Sequence, residues 1–109
     1  MSGSHVAEFT VDNFNSQVLQ AAGPVLVDFT ANWCPPCRKL APILEALAAD
    51  NAGTATFGKL NVDANQALAA QYGVENLPTM LVFKDGRPVA TLVGLQSRER
   101  IQQTLDQAR

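Results

Sequence analysis

The chain has 109 residues, 47% of them apolar and 17% charged, which fits one domain with its own core and excludes a disordered chain. Eight basic against ten acidic residues leave a net charge of −2, so no basic field is present to hold nucleic acid or anionic lipid. Only two cysteines occur, Cys34 and Cys37, which rules out a multi-disulfide scaffold, and no apolar run exceeds four residues, far short of a membrane helix.

The start, Met1-Ser2-Gly3-Ser4-His5-Val6, has no basic segment followed by an apolar stretch, so no signal peptide is read there. Residues 1–7 are expected to form a loose terminus or a leftover of cloning, and residues 1–109 a single domain. Thr10 or Asp12 can cap a short helix with Phe14, Val18 and Leu19 on one face, and Gly23-Pro24 ends it. Val25-Leu26-Val27-Asp28-Phe29 suits a strand buried on both faces. Pro35 and Pro36 suit a first helical turn and place Cys34 at its N-terminal end. Leu40, Ile43, Leu44 and Leu47 continue that helix, with Pro42 predicted to kink it.

Ala55 to Val62 reads as a strand, Asn65 to Tyr72 as a short helix stopped by Gly73, and Thr79 to Phe83 as another strand. Lys84-Asp85-Gly86-Arg87 is a turn into a hairpin partner from Pro88 to Val93. Ser97 caps a last helix with Ile101 and Leu105 inward, Glu99 early and Arg109 late. Strands and helices in this order predict an α/β fold, a mixed sheet with helices on both faces.

Two cysteines three positions apart at a helix start can close a small disulfide ring. The helix N-terminus favours an anion at Cys34, while Cys37, one turn further in, is expected to be the more buried. Cys34 would then attack a target disulfide and Cys37 resolve the mixed disulfide. Three other readings stand beside this one. A structural disulfide closes too small a loop to restrain the unfolded chain much. A zinc site needs four ligands, and two thiols plus His5 supply them only if shared between chains. The pair can also be incidental.

Asp28 lies inside an apolar strand six residues before Cys34, where burial should raise its pKa and suit it to exchange a proton with Cys37. Lys59 is a candidate to tune it. The alternative is that Asp28 merely caps a strand end. Pro78, before an apolar strand, can be an ordinary break or a cis-proline, and base rates favour trans.

Taken together, Val25-Leu26-Val27-Asp28-Phe29, Trp33-Cys34-Pro35-Pro36-Cys37-Arg38, Ala41-Pro42, Lys59-Leu60-Asn61-Val62-Asp63, Tyr72-Gly73-Val74, Leu77-Pro78-Thr79, Phe83-Lys84-Asp85-Gly86 and Val93-Gly94 form an ordered set. It resembles the thioredoxin family from about Phe9 to Leu105. The resemblance implies a thioredoxin fold: a central mixed sheet of four or five strands flanked by four helices. It implies thiol–disulfide exchange through a redox disulfide between Cys34, the nucleophile, and Cys37, the resolving thiol. Asp28 then matches the buried acid and Lys59 its partner. Pro78 matches a cis-proline beside the cysteines, and the backbone of Leu77 pairs with an extended substrate. Trp33, Pro35, Pro36, Val93 and Gly94 belong to the substrate surface. The family implies no bound cofactor and no metal. It implies NADPH used indirectly through thioredoxin reductase, target proteins with disulfides, and a monomer in the cytoplasm without nucleic-acid or membrane partners.

Three positions depart from the family pattern. Pro35 stands where glycine is usual and removes another N–H near the Cys34 sulfur, which leaves the reduction potential open. Tryparedoxins and nucleoredoxins share that Pro-Pro but are longer domains. Thr30 stands where tryptophan is usual, so the pocket around Cys34 and Asp28 should be smaller-walled, wetter or repacked, with a weaker shift on Asp28. Glu75 puts an acid near the groove, which disfavours acidic partners. These departures keep two other functions open: a specialised protein with altered potential and few partners, and a binding module in which redox turnover is secondary.

Overall fold

The computed structural model describes residues 4–109. Its centre is the strand Val25–Thr30 (β2), in which Val25 to Phe29 are all buried. Alternation sends Leu26 to one face of the sheet and Val25, Val27 and Phe29 to the other. Such a strand needs a covered sheet on both sides, and it receives one. The other strands are Val6–Phe9 (β1), Thr56–Asn61 (β3), Thr79–Lys84 (β4) and Arg87–Val93 (β5). They are ordered β1-β3-β2-β4-β5. The first three run parallel, and β4 and β5 are antiparallel additions.

Helices Pro35–Asp50 (α1) and Arg98–Ala108 (α3) cover one face. Leu40, Leu44, Leu47, Ile101 and Leu105 meet Leu26, Phe57, Met80 and Val82 there. Fully burying each such side chain is worth about 1.5–3 kcal/mol. A helical turn at Asn15–Leu19 and helix Gln66–Gln71 (α2) lie on the other face, around Phe9, Phe14, Phe29 and Phe83.

Residues 6 and 7 are not part of a loose terminus. Val6 pairs with Phe57 and Ala7 with Gly58, so β1 is a fifth strand absent from the strand–helix order read along the chain. Ser4 adds hydrogen bonds to the Val6 carbonyl and the Glu45 carboxylate. Residues 1–3 lie outside the described residues. The first helix starts at Thr10 as expected, where the Thr10 Oγ1 accepts the Asp12 N–H at 3.2 Å, but it differs in its winding. Asn13 caps the Thr10 N–H through its side chain at 2.8 Å, and the turn is wound as π, with the Gln20 N–H donating to the Asn15 carbonyl. Helix α1 continues through Pro42, which lies on its exposed side.

The β4–β5 hairpin turns at Asp85 and Gly86, both with positive φ (54° and 82°), as a two-residue primed turn requires. Ser97 caps α3 by accepting the Arg100 N–H at 3.1 Å.

Candidate functional site

The sheet delivers the start of α1 to the C-terminal edge of β2. Cys34 is the cap of α1: its backbone is extended and its Sγ accepts the Cys37 N–H at 3.3 Å. Pro35 and Pro36 follow as the first two helical residues. Neither has an N–H, so the Cys37 amide is the first that can turn back to that sulfur. Cys34 and Cys37 form a disulfide with Cα atoms 5.3 Å apart.

Both sulfurs are sheltered. Cys34 is 4% exposed and Cys37 2%, so Cys37 is the more buried of the two, by a narrow margin, and neither is open to solvent in the disulfide form. The two differ in what they face. Cys34 lines a groove of about 430 Å³ with Trp33, Pro35, Pro36, Glu75 and Leu77. Cys37 lines a separate cavity of about 330 Å³ with Asp28, Thr30, Arg38, Lys59 and Glu8. The disulfide therefore stands between a largely apolar groove and a cavity walled by ionisable groups.

Asp28 is 4% exposed, and its Oδ1 has no hydrogen-bond partner. Burial pushes its carboxyl up to about 7, and the positive charge of Lys59 opposes that rise. Lys59 is directly opposite Asp28 in the β2–β3 register, but its side chain is exposed. Asp28 sits mid-strand with Met80 as its β4 partner, so the alternative of a strand-end cap is removed. Thr30 forms part of the cavity wall, and Asp28 remains strongly shifted beside it.

The groove's far wall is the loop after α2. Tyr72, Phe14 and Phe83 form an aromatic cluster with ring centroids 5.3–5.7 Å apart, which fixes the end of α2. From there Val74 donates to the Ala69 carbonyl at 2.9 Å, and the loop runs to Leu77. The Leu77–Pro78 peptide is cis, so the base-rate expectation of trans is overturned. Leu77 packs against the cysteines, and its own N–H and C=O enter no hydrogen bond with another described residue.

Trp33 is 65% exposed, not a core aromatic, and its Nε1–H donates to Asp63 Oδ2 at 2.9 Å. Val93 and Gly94 do not line the groove. They adjoin its cis-proline, Val93 opposite Thr79 and the Gly94 N–H on the Pro78 carbonyl at 2.8 Å. Asp63 and Arg38 lie inside the motifs that carry the resemblance but have no role implied by it, and Glu8 has no local signal in the sequence. Among the described residues, no cluster of three or more histidine, cysteine or acidic side chains could hold a metal ion. No helix there is long and apolar enough to cross a membrane.

Residues 5–107 match the family model described as Thioredoxin. A thioredoxin of Pseudomonas aeruginosa is 44% identical over 102 residues, covering 94% of each chain. A thioredoxin of Staphylococcus aureus is 48% identical over 101 residues, covering 93% of this chain and 95% of its own.

Proposed function

We infer the roles of individual residues from one premise: the chain belongs to the thioredoxin family and is a thiol–disulfide oxidoreductase. A target disulfide lies in the groove, held by Trp33, Pro35, Pro36 and the open backbone of Leu77, with Pro78, Val93 and Gly94 shaping the rim. The Cys34 thiolate attacks one target sulfur, and the other target sulfur leaves as a thiolate. Asp28 accepts the Cys37 proton through the cavity they share. The Cys37 thiolate then attacks the Cys34 sulfur, closes the Cys34–Cys37 disulfide and releases the second target thiolate. Two electrons pass from the dithiol to the target. Lys59 limits how far burial raises Asp28.

The observation that supports this reading is the position of the disulfide between two cavities, with Cys34 on the groove and Cys37 on the acid. The family works with thioredoxin reductase and disulfide-containing targets. For this chain we propose a monomeric, single-domain reductant of the cytoplasm, recharged by that reductase at the expense of NADPH. Insulin disulfide reduction with NADPH and thioredoxin reductase tests it. The expected result is turnover lost in Cys34→Ser; turnover no greater than that control would contradict it.

A second reading, a specialised protein with few partners, draws support from Glu75, the only charged residue among the described residues that line the groove. A potential matching ordinary thioredoxins together with broad target use would set it aside.

A further inference from the structure

Strand register places three ionisable residues in one row across the sheet. Glu8 on β1 is opposite Lys59 on β3, and Lys59 is opposite Asp28 on β2. Residues directly opposite on neighbouring strands present side chains to the same face. All three line the cavity that also holds Cys37. The row continues as Met80 and Leu92, so the sheet brings no other charge to this level from β4 or β5. From α1 the cavity receives Cys37 and Arg38, and the Arg38 guanidinium donates to the Asn32 carbonyl at 2.8 Å. No charged residue of α3 lines it.

One cation thus stands between two carboxylates, and neither carboxylate is within 4.0 Å of its ammonium. The carboxylates are unequal. Glu8 and Lys59 are exposed and long, free to approach one another through solvent, while Asp28 is short and buried. Lys59 can lean toward β1 at little desolvation cost, and each such excursion removes positive charge from Asp28.

We propose that Glu8 is a positioning residue for the exchange chemistry: it competes with Asp28 for the Lys59 ammonium and so decides how much of that positive field reaches the buried carboxyl. Glu8 acts on the proton carrier without touching either sulfur. Asp28 holds its proton to a higher pH than Lys59 alone would allow, which keeps it able both to give and to take a proton near neutrality.

The inference rests on Asp28 as the proton carrier of the proposed function, but its test needs no turnover. The Asp28 carboxyl carbon is followed by NMR against pH in the full-length oxidised protein, in Glu8→Gln and Glu8→Lys, and in both again on a Lys59→Met background. Two strand spacings separate Glu8 from Asp28, so Glu8→Gln should lower the midpoint by roughly half a pH unit and Glu8→Lys by about twice that. On the Lys59→Met background the Glu8→Gln step should shrink to less than half. Glu8→Asp should restore most of the original midpoint. An unmoved or raised midpoint in Glu8→Gln overturns the proposal. So does a step of equal size without Lys59, which would assign the effect to the direct field of Glu8. A failed insulin assay beside a positive titration would instead fault the functional reading alone.

Discussion

Asp28 and Lys59 are register partners on adjacent parallel strands, yet only the acid is buried. The lysine reaches water and offers its charge at a distance. The acid keeps an unpartnered oxygen beside Cys37 in a shared cavity. This inequality leaves the carboxyl titrating near 7, where the exchange reaction can use it.

That titration has a stability cost of definite sign. The folded carboxyl, near 7, binds a proton more tightly than its unfolded counterpart, near 3.8. Stability is therefore highest below about pH 4 for this group and falls as pH rises toward 7 and above. The shift corresponds to about 4 kcal/mol as an upper bound. Asp28→Asn should stabilise the protein by a few kcal/mol at pH 8 and hardly at all at pH 4, read by urea denaturation. Equal effects at both pH values would contradict the assignment.

Lys59→Met removes the positive charge that opposes the rise in Asp28. The acid limb of the rate of target reduction should move to higher pH, with a reduced rate at pH 7 and recovery above pH 8. A pH–rate profile checks this; a move to lower pH would refute it.

Trp33→Phe retains an aromatic at the groove but loses the hydrogen bond to Asp63. Because Trp33 is exposed, stability should change by less than about 0.5 kcal/mol, while KM for a protein disulfide rises several-fold. Asp63→Asn, which keeps an acceptor oxygen, should be milder than Asp63→Ala. Steady-state kinetics separate the three.

Two glycines should fail for different reasons. Gly94 has φ +86° and open space around a would-be Cβ, so Gly94→Ala costs backbone strain of about 1–2 kcal/mol. A Cβ on Gly58 would come within 2.2 Å of the Phe9 ring, which anchors β1 to β3. Gly58→Ala should cost about 3 kcal/mol or more. Replacing Phe9 by Leu as well should recover part of the Gly58 loss and none of the Gly94 loss.

What could be read along the chain was local. The apolar run at Val25 to Phe29, the prolines after Cys34 and the primed turn at Asp85-Gly86 each follow from a few adjacent residues, and each lies where expected. Strand β1 is not legible in the sequence because it is four residues long with one buried side chain, and only its pairing with β3 makes it a strand. The same non-local pairing hid Glu8, which joins the cavity through register and not through any motif. The shelter of Cys34 is not legible either, because a helix-end position describes its electrostatics, not the groove that Leu77 and Trp33 build over it.

Trapping of mixed disulfides tests the proposed division of labour between Cys34 and Cys37. Cys37→Ser and Cys34→Ser are each incubated, reduced, with a disulfide-containing target and resolved without reductant. Cys37→Ser should accumulate a covalent complex through Cys34, and Cys34→Ser should accumulate little or none. Equal trapping by both variants, or a complex formed chiefly through Cys37, would overturn those roles.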